Sequence, residues 1–322
     1  MTKEELKIVF LGTPDFAVES LKRIVDGGYN VVGVVTMPDK PAGRGHKLYQ
    51  SPVKEFAVAH GLHLMQPVKL KDPEFVDELR ALNADLFVVI AFRMLPEVVW
   101  TMPRLGTFNL HASLLPRYRG AAPINWAVIN GDRETGVTTF FLKHEIDTGD
   151  IIAQERVEIL PTDNVGDVHD RLMMLGADLT IKTIDDIIAG TLTTIPQDQL
   201  TGGEEPTPAP KIFKETCKID WNAPAVKIHN LVRGLSPYPA AWSTLMDGDA
   251  ELGAVKIFET RIDEASAGSL TPGEISCEDG KLYVGSGDGK RVEILSLQAP
   301  GKRRMPTADF LRGSRLGSPR FV

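Results

Sequence analysis

Residues 6–35 read LKIVFLGTPDFAVESLKRIVDGGYNVVGVV, and this stretch decides the architecture. Leu6 to Leu11 is almost unbroken in its apolar character, as a strand covered on both faces must be. Gly12, Thr13, Pro14 and Asp15 turn the chain. Phe16, Val18, Leu21, Ile24 and Val25 then recur at helical spacing until Gly27 and Gly28 interrupt them, and Asn30 opens a second apolar run. Parallel strands need a crossover between them, normally a helix, so strand, helix, strand at this spacing predicts an α/β fold built on a parallel sheet.

The alternation continues outward. Helices are expected over Pro52 to His60 and Pro73 to Leu82, with strands over Leu62 to Gln66, Asp85 to Phe92 and Gly106 to His111 and a helix over Ala122 to Asn130. After Gly136 the pattern changes: Val137 to Leu142 and Ile151 to Ile159 read as strands joined by the polar turn HEIDTGD, followed by a long amphipathic helix from about Asn164 to Ala189. Residues 191–210, TLTTIPQDQLTGGEEPTPAP, hold four prolines and a Gly-Gly pair and read as a linker. Beyond them lie a helix, Ala225 to Arg233, and short strands over Ala241 to Leu245, Ala254 to Glu259, Lys281 to Val284 and Val292 to Leu297. Such short strands punctuated by Gly and Asp favour a small barrel or sandwich. The expected domains are therefore 1–190 and 211–322, joined by 191–210.

A chain of 322 residues is long for one hydrophobic core, which agrees with two domains. The net charge of -7 gives no global reason for a nucleic-acid partner, but the charge is unevenly spread. Residues 1–210 carry 20 Lys and Arg against 29 Asp and Glu, whereas 211–322 carry 16 against 14. The basic excess gathers in the tail, at Lys302, Arg303, Arg304, Arg312, Arg315 and Arg320; a solvated face is the ordinary reading of such a run. Cys217 and Cys277 are too few and too far apart for a disulfide scaffold or a cysteine-rich zinc site, and no metal is expected. No signal-peptide-like region or membrane-length apolar run is seen, so a cytoplasmic location is expected.

Several enzyme classes are disfavoured by what is missing. The first turn carries a single glycine instead of Gly-x-Gly-x-x-Gly, so a dinucleotide fingerprint is absent, as is a phosphate loop ending in Gly-Lys-Ser/Thr. No Gly-x-Ser-x-Gly elbow, Cys/His nucleophile pair or His-Glu-x-x-His is present. What remains is GTFNLHASLLPRYRGAAP, residues 106–123. Period-2 alternation puts Asn109 and His111 on one side of a strand end, opposite Leu110. Two polar groups there suit a crevice better than a core. Asp147, in the HEIDTGD turn, is a candidate partner for His111, and Asp150 in the same turn is a rival. Imidazole, carboxylate and amide together suit direct acyl transfer without a covalent intermediate. The loop Lys40 to Lys47, KPAGRGHK, is either a solvated loop or a phosphate-contacting arm.

At these residues the sequence resembles the methionyl-tRNA formyltransferases over almost its full length. The resemblance is carried by Phe10 to Ala17, by the arm Gly43 to Lys47, by Ser51 to Lys54, by Asn109 to Pro116 and by Arg119 to Pro123. It continues in Asp147 to Asp150, Gly234 to Trp242 and Pro300 to Met305. It implies a doubly wound, mostly parallel N-terminal catalytic domain and a C-terminal barrel like an OB-fold. Asn109, His111 and Asp147 match the family's catalytic positions. The formyl donor, 10-formyltetrahydrofolate, is expected against Phe92, Arg93, Met94, Leu95, Ser113, Leu114, Leu115, Pro116, Leu142 and His144. Methionyl initiator tRNA, the acceptor, is expected against Lys40, Arg44, His46, Lys47, Lys302, Arg303 and Arg304, with the protein acting as a monomer.

The implied chemistry is attack of the methionine α-amine on the formyl carbon. Asn109 and a proton-donating His111 would stabilise the oxyanion, with Asp147 orienting His111 and assisting proton relay. One departure stands out: many family members follow the apolar strand with an Ala-Tyr-Gly-like sequence, and this chain has Ala91-Phe92-Arg93. Arg93 either contacts the donor or points to solvent. Another formyl acceptor, a formyl-folate hydrolase and a non-catalytic RNA-binding protein are the competing readings; the last leaves Asn109, His111 and Asp147 without a task.

Overall fold

The computed structural model describes residues 1–42, 47–203, 205–263, 270–314 and 316–322. Two units share the chain. The first comprises Met1–Gly120, Thr135–Val157 and His169–Pro208; the second comprises Ala121–Glu134, Glu158–Val168 and Ala209–Val322.

In chain order the elements up to the segment expected as a linker are β1 (Lys7–Gly12), α1 (Asp15–Asp26), β2 (Asn30–Val35), β3 (Lys40–Ala42), β4 (Lys47–Tyr49), α2 (Pro52–Ala59), β5 (Leu64–Met65), α3 (Pro73–Ala81), β6 (Leu86–Ile90), α4 (Glu97–Trp100), β7 (Thr107–His111), β8 (Arg119–Gly120), α5 (Pro123–Ile129), β9 (Glu134–Phe141), β10 (Ile151–Glu158) and α6 (Val165–Ala189). The first unit is organised on a seven-stranded sheet of order β10-β9-β7-β6-β1-β2-β5. β1 pairs in parallel with β2 and β6, β2 with β5, and β6 with β7, whereas β9 runs antiparallel to β7. The sheet is thus mostly parallel, as expected.

Every residue of β1 after Lys7 is buried. Val9 and Leu11 join Phe75, Leu79, Phe87 and Val89 in one core cluster. The alternate residues Ile8 and Phe10 are equally buried on the other side, together with Val88 and Phe108. Complete burial of each such side chain contributes about 1.5–3 kcal/mol. Helix starts are set locally: Ser51 accepts the Lys54 amide (3.1 Å) ahead of Pro52, and Asp72 accepts the Glu74 amide (3.1 Å) ahead of Pro73.

Strand order moves outward from β1 in both directions, so the connection reverses between β1 and β6. Ligands in open α/β sheets bind beyond the carboxyl ends of the strands at such a reversal. Ile90 and Ala91 leave β6 there, and His111 ends the neighbouring β7. The segment Lys40 to Lys47, read from sequence as a loop or an arm, starts and ends in the antiparallel pair β3 and β4. Its base is held by Asp39, which takes Lys54 Nζ at 2.5 Å and Gln66 Nε2 at 2.9 Å. Arg44 and His46 lie outside the described residues.

The remaining elements are β11 (Pro208–Ala209), α7 (Ala225–Leu235), β12 (Ala241–Asp247), β13 (Ala250–Asp263), β14 (Ile275–Glu278), β15 (Lys281–Gly285), β16 (Arg291–Gln298), β17 (Met305–Pro306), α8 (Thr307–Arg312) and β18 (Pro319–Phe321). The second unit's sheet has the order β14-β15-β16-β13-β12-β18, with β17 on β16. Its two ends meet: Glu274 bridges Arg320, and the Phe321 amide donates to Gly273 O at 2.8 Å. The result is a nearly closed β-barrel, the expected architecture. Its core holds Trp221, Ile228, Val232, Val255, Ile294 and Phe321. No helix among the described residues is long and apolar enough to cross a membrane.

Candidate active site

β7 carries Thr107, Phe108, Asn109, Leu110 and His111, with Asn109 half-buried between buried neighbours. Asn109 is paired with Val89 of β6 on one side and Phe140 of β9 on the other. Its side-chain amide makes no hydrogen bond to another described residue, although it sits in the sheet's interior. An amide offers two donors and an acceptor, so Asn109 has its full capacity available to a ligand.

His111 is 8 % exposed. Its Nε2 lies 2.9 Å from the Tyr118 carbonyl, and its Nδ1 lies 3.9 Å from Asp147 Oδ2. A carbonyl oxygen only accepts, so Nε2 carries the proton. The Nε2 proton is thereby committed to Tyr118, and Nδ1 is the ring nitrogen that faces Asp147. Asp147 Oδ2 also accepts the Gly120 amide at 3.0 Å. The rival Asp150 is turned away and takes Lys143 Nζ at 2.7 Å.

The backbone around these groups is unusual. Six non-glycine residues among those described have positive φ, and three of them lie here: Ala91 (47°), Tyr118 (61°) and Asp147 (55°). Left-handed geometry costs an L-residue roughly 1–2 kcal/mol, and such residues gather where a site over-determines its backbone. Gly149 shows how tightly the Asp147 turn is seated. A Cβ there would lie 1.6 Å from the Phe141 carbonyl oxygen.

The loop after His111 is fixed from below. Ser113 Oγ donates to Arg117 O at 2.7 Å. Thr138 Oγ1 donates to Ser113 O (2.7 Å) and accepts from the Leu115 amide (3.1 Å), and Gln154 Nε2 reaches both Leu115 O (2.8 Å) and Thr138 Oγ1 (2.9 Å). Of the residues expected at the donor, Leu115 is part of a buried cluster with Phe140 and Ile151, against which Leu142 packs. Ser113 and Pro116 are buried, Leu114 is half-buried, and His144 is exposed. Leu95 lies in the core cluster that Phe92 flanks, whereas Met94 is 71 % exposed. Arg93 is exposed, yet its guanidinium is tied to the protein's own main chain. Its guanidinium donates to Val68 O at 2.8 Å and to Pro67 O, and it stacks 5.6 Å from the Phe92 ring centre. It ties the loop after β6 to the chain after β5.

Lys40, Lys302 and Arg303 are exposed, and none of them pairs with a carboxylate among the described residues. Arg304 donates to Ser296 Oγ at 2.9 Å and lies over the Phe258 ring at 4.6 Å. Tyr118, Gly120, Thr138, Gln154 and Gln197 are the site residues that sequence reasoning missed. All five act through main-chain groups or on them, which leaves no side-chain pattern to read. No group of three or more His, Cys, Asp or Glu among the described residues is arranged to hold a metal ion.

Comparison with known proteins addresses the chain as a whole. Residues 6–184 match the formyl transferase family and residues 211–315 match the formyl transferase C-terminal domain. A methionyl-tRNA formyltransferase from Bacteroides fragilis is 62 % identical over 318 residues, covering 98 % of this chain and 97 % of its own. That of Porphyromonas gingivalis is 48 % identical over the full length of both chains. Among solved structures, an N-formyltransferase from Helicobacter canadensis in complex with folinic acid and dTDP-3-aminofucose superposes with a TM-score of 0.68 at 20 % identity, over 90 % of this chain and 98 % of its own; at that identity the likeness is one of fold. On a 62 % match along nearly the whole of both sequences, the chain belongs to the methionyl-tRNA formyltransferase family.

Proposed function

We propose that this protein transfers the formyl group of 10-formyltetrahydrofolate to the α-amine of methionyl initiator tRNA, in the cytoplasm and as a single chain. The observation that carries the mechanism is the open Asn109 amide beside a His111 whose Nδ1 faces Asp147. An α-amine has a reference pKa of about 8, and esterification of the carboxyl lowers it, so the neutral nucleophile is accessible near neutral pH. Its nitrogen attacks the formyl carbon, forming the new C–N bond and placing negative charge on the former carbonyl oxygen. Asn109 Nδ2–H donates to that oxygen. The proton lost by the attacking nitrogen passes to His111 Nδ1, where the Asp147 carboxylate stabilises the imidazolium. It then goes to N10 as the C–N10 bond breaks, leaving formylmethionyl-tRNA and tetrahydrofolate.

Phe92, Leu114 and Leu142 offer apolar surface to the folate ring, and Arg93 shapes that surface through its carbonyl contacts. Lys40, Arg44, His46 and Lys47 of the arm and Lys302, Arg303 and Arg304 of the barrel supply positive charge to tRNA phosphates. The acidic total is no obstacle, because phosphate contact needs a local strip of cations. The test is transfer of radiolabelled formyl from 10-formyltetrahydrofolate to methionine-charged initiator tRNA, with methionine-charged elongator tRNA alongside. Labelling of the initiator alone is expected. Release of formate with neither tRNA labelled would sink the reading in favour of hydrolysis.

A further inference from the structure

Gln197 opens a short 3-10 helix, Gln197–Leu200, inside the segment whose composition reads as a linker. It is 3 % exposed, whereas Leu200, one turn on, is 44 % exposed. A polar side chain turned in while an apolar neighbour is turned out signals that the amide is being used. The chain is brought there by backbone pairing of Ile195 with Ile151, N–H to O in both directions at 2.8 and 2.9 Å.

All four hydrogen-bonding positions of the amide are filled. Nε2 donates to Asp147 O (2.9 Å) and to Gly149 O (2.8 Å). Oε1 accepts from Arg119 Nε (3.1 Å) and Nη2 (2.7 Å). The carbonyls only accept and the guanidinium only donates, so the amide has one possible orientation. Gln197 thus joins the turn that bears Asp147 to Arg119, whose neighbour Gly120 donates its amide to Asp147 Oδ2. Asp147 holds φ at 55° and Gly120 at 126°. Such backbone persists only where the surroundings enforce it, and one buried amide grips both segments.

We propose that Gln197 is a positioning residue that sets the Asp147 carboxylate against His111 by holding the carbonyls on either side of Thr148. The kinetic part of this proposal rests on the formyl-transfer reading. Methionine at this position keeps the side chain's length and removes all four bonds. Glutamate keeps the length and the Arg119 pairing but sets a carboxylate oxygen against two carbonyl oxygens.

The experiment compares Q197M and Q197E in the full chain, with enzyme in excess over charged tRNA so that slow variants can still be read. kcat is expected to fall about tenfold in both, since small misplacement of a catalytic group costs this much or more, with the KM values for donor and tRNA unchanged. On a D147N background, Q197M should cost nothing further, because residues acting through one group are non-additive. Parent-like kcat in Q197M, full activity in Q197E, or the same tenfold loss on the D147N background would each overturn the proposal; the second would leave Gln197 as a partner of Arg119 alone. Amide hydrogen exchange at Gly120 gives a readout independent of activity: protection should fall in Q197M while the β1 and β6 amides keep theirs. If Q197M fails to fold, loss of the β1 and β6 protection reveals it and Q197E decides. If the unaltered chain does not formylate methionyl-tRNA, that reading fails, and unchanged Gly120 protection in Q197M would separately sink the pin.

Discussion

Asp147 Oδ2 stands 3.9 Å from His111 Nδ1, outside the range of a direct hydrogen bond, with the carboxylate facing the ring nitrogen that does not bond Tyr118. Asp150, in the same turn, spends its carboxylate on exposed Lys143. The two aspartates should therefore separate cleanly. D147N is expected to lower kcat by about 100-fold, the scale of a lost electrostatic stabiliser. D150N breaks a surface pair worth no more than about 1 kcal/mol and should leave kcat as it was. Steady-state formylation with both variants checks this, and equal losses would remove Asp147 from its assigned role.

The Asn109 side chain makes no hydrogen bond to a described residue, so shortening it should cost activity without costing stability. N109A is expected to lose roughly 100-fold or more in kcat with an unchanged melting temperature. A parallel fall in melting temperature would mean that the amide holds the fold instead of the oxyanion.

Arg93 grips the carbonyls of Pro67 and Val68. R93M frees the loop after β6 to sample other shapes, and a penalty of about 1 kcal/mol would raise the donor's Kd about fivefold. KM for tRNA should not move. Donor titration of both proteins is the check, and unchanged donor affinity would confine Arg93 to a structural tie.

How much of this was legible beforehand depended on what kind of signal each part leaves. β1, α1 and β2 were plain, because an apolar run, a helical recurrence and glycine stops agree over one short stretch. Asn109 and His111 were legible because strand alternation fixes which side a residue takes. The choice between Asp147 and Asp150 was not, since a turn directs side chains through φ, and the positive φ at Asp147 has no signature in an aspartate. β14 and β18 were missed because ISCE and PRF are short and carry no regular alternation; the meeting of strands distant in the chain defines them. Gln197 was hidden for a different reason: its partners at Asp147 and Gly149 are carbonyls, which every residue possesses.

Thr138 is fully buried and serves Ser113, Leu115 and Gln154 at once. T138V keeps the shape and strands the Leu115 amide. A buried group left unsatisfied costs about 1–3 kcal/mol, so the urea midpoint of the first transition should fall by the equivalent amount. An unchanged midpoint would show that the loop finds other partners.

His229 supplies a pH dependence in the barrel unit. Burial, then the neighbouring Arg233 charge, pushes its imidazole below the ordinary value of 6.5, against the opposing effect of the Pro161 carbonyl. Its Nδ1 lies 2.9 Å from Thr260 Oγ1. The unfolded chain takes up the proton more readily than the folded one, so this contribution is fully present above pH 6.5 and is lost as pH falls from there through the depressed value. H229Q should flatten that part of the stability curve, as read by melting temperature between pH 7.5 and 5. The same slope in both proteins would place the acid sensitivity elsewhere.

Phe108 and Leu110 are buried while Asn109 and His111, interleaved with them, hold the chemistry. The two sets are fixed to opposite faces by a repeat of two. A single residue inserted or deleted within β7 would exchange them wholesale, driving an amide and an imidazole into the hydrocarbon layer and a phenyl ring and an isobutyl group into the crevice. No intermediate state of half-function lies between the two registers. Misfolding and inactivity are thus the same event for this strand, and variation among descendants of this sequence can change the identity of its residues far more readily than their number.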